Sequence, residues 1–525
     1  MKRRNFIKSA TAFSAPVFLK GFQVAAIANS SLFPIINSAP NDRVLVIVQL
    51  NGGNDGLNTI IPLDQYDKLM GVRENVMIPE NKLLKVTDKV AFHPSMTGIQ
   101  NLYDANKLTV LQGVGYPNQN RSHFRSKDIW TSASDADEFI STGWLGRYFD
   151  TQHPVYPEDY PNTNHPDPIA ITIGSLVSET CQGVGSNFSL ALRDVESLAP
   201  LSEGTGSELP DNYYGQQLGF LRNAIAQTNA YGETILSAAD KGNNLSDLYP
   251  NAGQNPLADQ LKIVANLISG GLQTKVYVVS LGGFDTHAGQ VLGGDNTGGI
   301  HATLLEQLST AMNAFQDDLK RLGKEEKVVG MTFSEFGRRI KSNGSLGTDH
   351  GSAAPLLLFG SCVNSSILGE DVEIPDEVGN QDGVPMQFDF RSIYGSLLVD
   401  WFGAEESDVR NYMFADFQYL PIIAGCEMST STLEPTPIFN QKELTLSSFP
   451  NPFTSQTTIE FEGTGDWMKL SIFDAKGAEV KVLANQSFPK GKQQIIFDGH
   501  RFPAGNYYVR LQTTRQQRTK LLVKM

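Results

Sequence analysis

Four short, mainly apolar runs recur along the chain, each seven or eight residues long and rich in β-branched side chains. They cover residues 43–50, 107–114, 275–281 and 327–333. Near-continuous runs of this length are typical of parallel strands that are buried on both faces. A helical period over residues 302–322 precedes the fourth run. This alternation of strands and helices predicts a doubly wound, mostly parallel α/β sheet.

The stretch 150–255 has a weaker pattern and is rich in Pro, Gly, Asn and Ser. We expect loops and insertions that lie over the site-bearing face of the sheet. Helices are expected near residues 213–228 and 256–269, where apolar positions recur at helical spacing.

The last 82 residues, 444–525, differ from the rest in both pattern and charge. Strand-like segments at hairpin spacing, 469–473, 493–497 and 507–511, predict a small antiparallel β-sandwich. This tail has a net charge of +5, whereas the remainder of the chain has −19. A Ser-, Thr- and Pro-containing linker at 429–443 would separate it from an α/β domain at 43–428.

The N-terminal segment 1–28 has basic residues first, then a modest apolar stretch and a small-residue site ending at Ala28. These features predict an export signal, and the Arg3-Arg4 pair resembles the twin-arginine export signature. An ordinary basic N-terminus is the alternative. No other segment has the 18 or more apolar residues that a membrane helix needs, so we expect no transmembrane span in the mature protein.

Charge and cysteine content narrow the classes of function. A net charge of −14 and a pI near 5.1 argue against a nucleic-acid partner. The three cysteines, Cys181, Cys362 and Cys426, include no CxxC pair, so at most one disulfide can form.

Ligand-type side chains follow the predicted strands and strand-like connections. They are Asp55, Asp285, His287, Asp349 and His350. Ligands bind beyond the carboxyl ends of the strands in a doubly wound sheet, and this mixture of carboxylate and imidazole suits one or two divalent ions such as Zn, Mn or Ca. Each motif also has a structural alternative: Asp55 fits a turn, and the Asp285–His287 segment fits a helix cap followed by a packed histidine.

Several motifs together carry a resemblance to a known family. In order they are GGNDGLN at 52–58, RSHF at 121–124, FDTH at 284–287, SEFGR at 334–338 and GTDHG at 347–351. With the export signature, they resemble the secreted bacterial family called domain of unknown function 1501, over about residues 43–426. That family is similar to the alkaline phosphatase-like superfamily of phosphatases, sulfatases and phosphoglycerate mutases. The resemblance implies a two-metal core, in which Asp55 matches the first-strand ligand, Asp285 and His287 the middle pair, and Asp349 and His350 the Asp-His pair.

The resemblance also implies a nucleophile at a helix N-terminus after the second strand, the place of Ser122. Arg121 and Arg125 are near enough in sequence to hold anionic oxygens. A helix cap is the alternative for Ser122. His123 fits a metal ligand, an acid or a packing residue, while Glu335 fits a metal shell or an orienting group, and Asn54 is a further accessory candidate.

Two departures from the superfamily concern histidines. The middle ligands are only two residues apart, and after the GTDHG motif the only histidine is His500, in the tail. His301 is a substitute candidate, although its helical context favours a cap or surface position. One metal site would then be incomplete.

The tail resembles the C-terminal sorting domain of the type IX secretion system. The motifs are FPNPF at 449–453, LSIFDAKG at 470–477 and FPAGNYY at 502–508, followed by a basic final strand. The resemblance implies that the type IX machinery is a partner, that the protein is secreted or attached to the outer cell surface, and that the tail is usually removed. A generic immunoglobulin-like adhesion module is the alternative.

Two functions follow from these patterns. The first is an exported metal-dependent hydrolase of phosphate or sulfate esters, on a small-molecule or glycan substrate, in which Ser122 attacks in line. The second is a non-catalytic surface protein that keeps the fold and binds glycans or proteins. The first predicts that the ligands converge on an open site, and the second predicts scattered ligands or a closed site.

Overall fold

The structure is a computed structural model, and its chain divides into two compact units, Met1–Glu434 and Pro435–Met525. It describes residues 17–19, 22–24, 41–157, 160–195, 213–424, 426, 446–463, 465, 467–474, 479–513 and 517–524. The predicted export signal lies outside the described residues except for six that form a short antiparallel pair. The predicted linker 429–443 also lies outside them. Among the residues described, no helix is both long and apolar enough to cross a membrane.

The larger unit alternates strands and helices. Its strands are β1 (Val17–Leu19), β2 (Phe22–Val24), β3 (Val44–Asn51), β4 (Ile60–Pro62), β5 (Leu84–Lys85), β6 (Val90–Phe92), β7 (Leu108–Gly115), β8 (Ala170–Ile173), β9 (Ser189–Leu192), β10 (Val276–Gly282), β11 (Val328–Ser334), β12 (Arg338–Ser342), β13 (Thr348–His350), β14 (Ala354–Phe359), β15 (Ser366–Leu368) and β16 (Phe388–Asp389). Its α-helices are α1 (Gly56–Thr59), α2 (Tyr66–Arg73), α3 (Thr97–Asp104), α4 (His123–Ser132), α5 (Trp144–Gln152), α6 (Tyr213–Lys241), α7 (Pro256–Ser269), α8 (Ile300–Arg321), α9 (Phe390–Ser396) and α10 (Glu406–Tyr412). Short 3₁₀ turns and one π-helical turn, Leu397–Trp401, complete it.

One nine-stranded sheet forms the centre of this unit. Its order is β15-β7-β14-β11-β3-β10-β8-β9, with β16 alongside β7. Only β14 is antiparallel to its neighbours, so the other eight strands share one direction. The expected mostly parallel α/β sheet is confirmed.

Helices cover both faces of the sheet because β3 is apolar on both. Val46 and Val48 belong to the same core cluster as Leu261 of α7 and Leu308 of α8. On the opposite face, Trp130 of α4 stacks against Phe333 of β11, with ring centroids 5.5 Å apart. Trp130 also stacks on Phe390 of α9 at 4.4 Å. Burying the apolar face of each helix against the sheet is what stabilises this arrangement.

The four predicted strands begin and end within one residue of their expected bounds, and helix α7 covers the predicted residues 256–269. The expectation for 150–255 was wrong in part. This stretch supplies β8 and β9, which extend the central sheet, and α6 continues to Lys241 instead of ending near residue 228. Each of the two missed strands has four residues, and a strand that short gives little periodicity to detect.

The smaller unit is entirely β in its described residues. Its strands are β17 (Leu446–Phe449), β18 (Gln456–Gly463), β19 (Trp467–Asp474), β20 (Glu479–Ser487), β21 (Gly491–Asp498), β22 (Gly505–Thr513) and β23 (Gln517–Lys524). Two antiparallel sheets, β17-β18-β21 and β20-β19-β22-β23, share one apolar core that includes Ile459, Phe497, Leu470 and Val509. The three predicted strands of the β-sandwich each lie within one of these elements.

Candidate metal centre

Three neighbouring strands of the central sheet end at the same level. Leu50 of β3 pairs with Leu281 of β10 on one side and with Ser334 of β11 on the other. The segments that follow these strands therefore emerge side by side at one edge of the sheet. The β12–β13 hairpin adds His350, which pairs in register with Arg338. Strand direction thus gathers four of the sequence motifs at one edge.

Glycines in these motifs allow the segments to approach closely. Gly52 has a φ of +124°, and a Cβ placed on it would lie 2.3 Å from the backbone nitrogen of Asp285. A Cβ on Gly351 would lie 2.2 Å from the carbonyl carbon of Arg338. Both distances are far below van der Waals contact, so any side chain there would displace the segments that carry the candidate ligands.

Four side chains converge at this edge: His123, Asp285, His287 and His350. The two Nε2 atoms of His287 and His350 are 2.9 Å apart. Asp285 Oδ1 lies 3.2 Å from each of them. Asp285 Oδ2 lies 3.4 Å from Nε2 of His123. The cluster is open to solvent, since the Asp285 side chain is 48% exposed and that of His287 is 44% exposed.

Each imidazole of the cluster has an oxygen partner at Nδ1. His287 binds Asp349 Oδ1 at 2.9 Å, and His123 binds Glu335 Oε1 at 2.8 Å. His350 binds the backbone oxygen of Arg121 at 2.8 Å. In a neutral imidazole, a proton donated from Nδ1 to such a partner leaves the lone pair of Nε2 available to a cation. Such outer oxygen partners are typical of metal-ligating histidines.

The spacing of these atoms fits a divalent cation. Two ligands bound at about 2.0–2.1 Å in a tetrahedral site are about 3.3 Å apart. The three contacts among Asp285 Oδ1 and the Nε2 atoms of His287 and His350 measure 2.9–3.2 Å. His123, Asp285 and His350 also offer ligand atoms that all lie within 4.8 Å of one another. The described residues therefore include a group whose donor atoms could hold one cation.

Arg338 fixes the segments that carry these ligands. Its guanidinium is buried and donates to the backbone oxygens of Gly53 at 2.7 Å, Phe284 at 2.9 Å and Thr348 at 2.7 Å. It also donates to Asp285 Oδ1 at 2.8 Å. Partial burial opposes ionisation of Asp285, but its contacts with the Arg338 guanidinium and with the neighbouring imidazoles outweigh it and bring the pKa of Asp285 down to about 2. Asp285 is therefore an anionic ligand at neutral pH.

Asp349, an expected metal ligand, lies behind His287. Its carboxylate accepts from His287, from Asn343 at 3.2 Å and from Arg339 at 3.2 Å. The hydrogen bond from His287 is the main reason why the pKa of Asp349 is lowered. The structure thus gives Asp349 contacts of an orienting group.

Asp55, the other expected carboxylate ligand, is not brought into the cluster. Its side chain is 1% exposed and pairs with the fully buried guanidinium of Arg73. Gln290 Nε2 donates to the same carboxylate oxygen at 2.6 Å. Asn54, the accessory candidate, accepts from Nε2 of His301 at 2.9 Å. His301 is thus buried beside Asn54, and the expectation of a surface or cap histidine was wrong; burial lowers the pKa of His301 to about 4.

The three candidate catalytic residues take different positions. Ser122 is the exposed N-cap of α4, directly before His123, and its side chain makes no capping hydrogen bond. Arg121 donates to the backbone oxygen of Gln381 at 2.8 Å. Arg125 instead pairs with Asp128 and donates to backbone oxygens of residues 135–138. These bonds give Arg125 a structural role in the loop after α4.

Four residues of the site were not assigned a role from the sequence. They are Arg73, Gln290, Arg338 and Arg339. Arg338 is the last residue of the SEFGR motif and Arg339 follows it directly, so the motif could have indicated both. Arg73 and Gln290 lie outside every motif, and only the fold shows that they contact Asp55.

Comparisons with known proteins agree with this division of the chain. Residues 251–388 match the family described as protein of unknown function (DUF1501). Residues 447–525 match the secretion system C-terminal sorting domain. Both resemblances expected from the sequence are confirmed. No curated protein matches the chain. The sorting domain indicates secretion to the cell surface or outside the cell.

Solved structures of the alkaline phosphatase superfamily are similar to this chain at low identity. A superfamily protein from Vibrio parahaemolyticus is 11% identical with a TM-score of 0.32, covering 87% of each chain. A sulfatase from Pseudoalteromonas is 9% identical with a TM-score of 0.32, covering 88% of this chain and 84% of its own. A phosphonate monoester hydrolase from Silicibacter pomeroyi is 9% identical with a TM-score of 0.32, covering 92% and 89%. At such values the similarity says nothing about the reaction.

Proposed function

We propose that the larger unit is an exported, divalent-cation-dependent hydrolase of phosphate or sulfate esters. One observation carries the proposal: the Nε2 atoms of His123, His287 and His350 converge with Asp285 on a solvent-facing point, each imidazole tied at Nδ1 to an oxygen. An open cluster can admit a substrate oxygen, whereas a purely structural site is closed by protein ligands.

The four converging residues would hold the cation. Three imidazoles with one carboxylate favour Zn or Mn over Ca, which prefers sites built entirely of oxygen ligands. When bound, such a cation supplies Lewis-acid polarisation of an ester oxygen and compensates the charge that develops there. Glu335 and Asp349 orient His123 and His287, respectively, so that Nε2 faces the cluster.

Cationic side chains support an anionic substrate. Partial burial, followed by the charge of Arg339, lowers the pKa of Arg121. Arg339 pairs with Asp349 at the edge of the cluster, and the backbone oxygen of Arg121 binds His350. The Arg339 guanidinium at the edge of the cluster suits the oxygens of a phosphate or sulfate group.

Ser122 is the nucleophile in this proposal. It precedes His123 directly, at the N-terminus of the ten-residue helix α4, whose dipole favours a developing alkoxide. In the first step Ser122 Oγ bonds to phosphorus or sulfur, and the ester oxygen leaves as an alcohol with the serine proton. In the second step water displaces Ser122, restores its hydroxyl group and releases phosphate or sulfate.

Metal content and ester hydrolysis test the proposal together. We expect the purified protein to bind Zn or Mn, and Asp285→Asn and His350→Gln to lose the ion. His500→Gln, in the smaller unit, is the matched control and should bind as the wild type does. Ser122→Ala should keep the ion but lose turnover of aryl phosphate and aryl sulfate substrates. Binding of no cation would contradict the hydrolase and favour the non-catalytic surface protein.

The export route is part of the proposal. The sorting domain supports passage across an outer membrane, and the twin-arginine resemblance supports prior transport in folded form. Replacing Arg3 and Arg4 by lysine should trap the precursor inside the cell, as fractionation and immunoblotting would show. Export of the double lysine variant at the wild-type level would contradict this route.

A further inference from the structure

The geometry points to a single-cation protein in which the buried ion pair of Asp55 and Arg73, joined to Gln290, stands where a second cation would need Asp55. This inference rests on the proposed cation site and limits it to one ion. The superfamily resemblance implies two metals, so this is a disagreement between the chain's own residues and that expectation.

The contacts of Asp55 disfavour a divalent ion, because a buried guanidinium already balances its charge. Its carboxylate is 1% exposed, and the Arg73 side chain beside it is fully buried. The guanidinium already compensates the carboxylate charge, and a divalent cation at Asp55 would be repelled by it in a poorly solvated interior. Gln290 donates through Nε2 to the oxygen that Arg73 also binds. Both donors therefore occupy Oδ2. Oδ1 has no hydrogen-bond partner among the described residues, but it belongs to the carboxylate whose charge Arg73 balances.

The neighbouring histidine does not supply a second site either. His301 Nε2 faces Asn54 Oδ1 at 2.9 Å, and Thr59 Oγ1 donates to that same oxygen at 3.1 Å. Because the amide oxygen only accepts, the Nε2 atom of His301 carries the proton and is not a ligand. Asn54 and His301 therefore satisfy each other inside the protein.

Gln290 connects the ion pair to the cation ligands. Its Oε1 accepts from Thr348 Oγ1 at 2.7 Å and from Thr286 Oγ1 at 3.2 Å. Thr286 stands between Asp285 and His287, and Thr348 precedes the Asp349–His350 pair. One buried amide thus holds both ligand segments against Asp55. Gln290 is a positioning residue, which acts on the cation only through the segments that it fixes.

Metal counting on the full-length protein tests the inference. Purified protein is loaded with Zn, passed through a desalting column and measured by plasma mass spectrometry. We expect close to one equivalent for the wild type and for Asp55→Asn. Anomalous scattering at the zinc edge should show one peak, bounded by His123, Asp285, His287 and His350. The wild-type count and peak decide the question even where Asp55→Asn does not fold.

The outcomes separate this inference from the proposed function. Two equivalents in the wild type, one of them lost in Asp55→Asn or located beside Asp55, would overturn the inference and leave the hydrolase proposal standing. No bound cation would overturn both. One equivalent that disappears in a folded Asp55→Asn variant would overturn the assignment of Asp55 to an ion pair outside the cation site.

The positioning role of Gln290 has its own measurement. Gln290→Ala should keep one equivalent but weaken Zn binding about 10–100-fold, the usual size of an outer-contact effect. The visible absorption spectrum of the Co-substituted protein should shift, because the ligand segments move. Gln260→Ala is the matched control, since Gln260 binds the backbone of Ser280 and no ligand segment. An unchanged spectrum and affinity in Gln290→Ala would contradict the role.

Discussion

The two units bury apolar cores of similar character, yet within the described part of the chain only the larger one has a cluster of converging metal-ligand side chains. In the larger unit eight strands share a direction, so the segments that leave them meet at one edge. In the smaller unit every pairing between the described strands is antiparallel, so neighbouring strands of a sheet end at opposite edges. Strand direction therefore determines where the side chains that follow the strands can come together.

Charges follow the same contrast. In the larger unit the arginine of the Asp285–Arg338 pair is buried, and that pair belongs to the network that shapes the cluster. In the smaller unit the pair of Lys492 and Glu460 is exposed and contributes little to stability. Its described residues include no group of side chains spaced to hold a metal.

Deleting residues 435–525 is the strongest way to separate the units. We expect the protein to disappear from the cell surface and the medium, because the sorting domain is gone, while the retained unit keeps its cation content. Fractionation and metal analysis measure the two effects. A truncated protein that still reaches the surface would show that the larger unit carries its own signal.

Core substitutions test which unit supports the site. Ile47 in β3 and Ile472 in β19 are both buried, and changing either to alanine should destabilise its own unit by about 2–5 kcal/mol. Only Ile47→Ala should also weaken cation binding, because β3 leads into the site. Calorimetric unfolding and Zn titration of both variants give the comparison. Equal loss of Zn binding in both variants would contradict the expectation that the larger unit alone supports the site.

Asp349→Ala distinguishes an orienting group from a ligand. We expect cation affinity to fall about 10–100-fold with the stoichiometry still near one, since His287 loses the acceptor at Nδ1. Asp349→Asn keeps an acceptor oxygen and should fall less. Isothermal titration with Zn provides both values. Loss of the ion itself in Asp349→Ala would instead make Asp349 a direct ligand.

Acid should destabilise the larger unit modestly. Burial lowers the pKa of His93 to about 3 and that of His301 to about 4. The unfolded chain therefore takes up protons below about pH 6.5 that the folded unit does not, and stability falls as the pH drops towards 4. Asp150 and Asp400, whose pKa values burial raises to about 6, act in the opposite direction. We expect a net loss of about 1–3 kcal/mol between pH 7 and pH 5.

Urea unfolding at the two pH values measures this loss. His301→Gln keeps a donor for Asn54 and removes one titrating group, so its stability should depend less on pH. The smaller unit has one histidine, His500, and that side chain is exposed. We therefore expect the free energy of unfolding of the smaller unit to change little between pH 7 and pH 5. An equal change of unfolding free energy with pH in both units would contradict the expectation that buried histidines make the larger unit the more acid-sensitive one.

Much of the fold was predictable because long, buried parallel strands leave a clear pattern. The strands β3, β7, β10 and β11 each carry seven or eight residues, and nearly all of them are buried. The positions of Asp285, His287 and His350 at the site followed from the strands that precede them. Short strands such as β8 carry no such pattern.

The partners of each side chain were beyond reach of the sequence. Asp55 and Asp285 both follow central strands. However, the buried guanidinium of Arg73, in α2, pairs with Asp55. No sequence motif around Arg73 predicts this ion pair. His123 appeared as an accessory candidate and lies inside the cluster. Such roles depend on which helix packs over which strand, and that is a property of the folded unit.

The hydrogen bond between His350 and the backbone oxygen of Arg121 joins residues 229 positions apart. The bond between His123 and Glu335 spans 212 positions. Groups so far apart along the chain meet only after most of the larger unit has formed, and closing such long loops is slow. A cation held there would stabilise the finished unit and not its partly folded precursors. Metal loading would therefore act as a signature of complete folding.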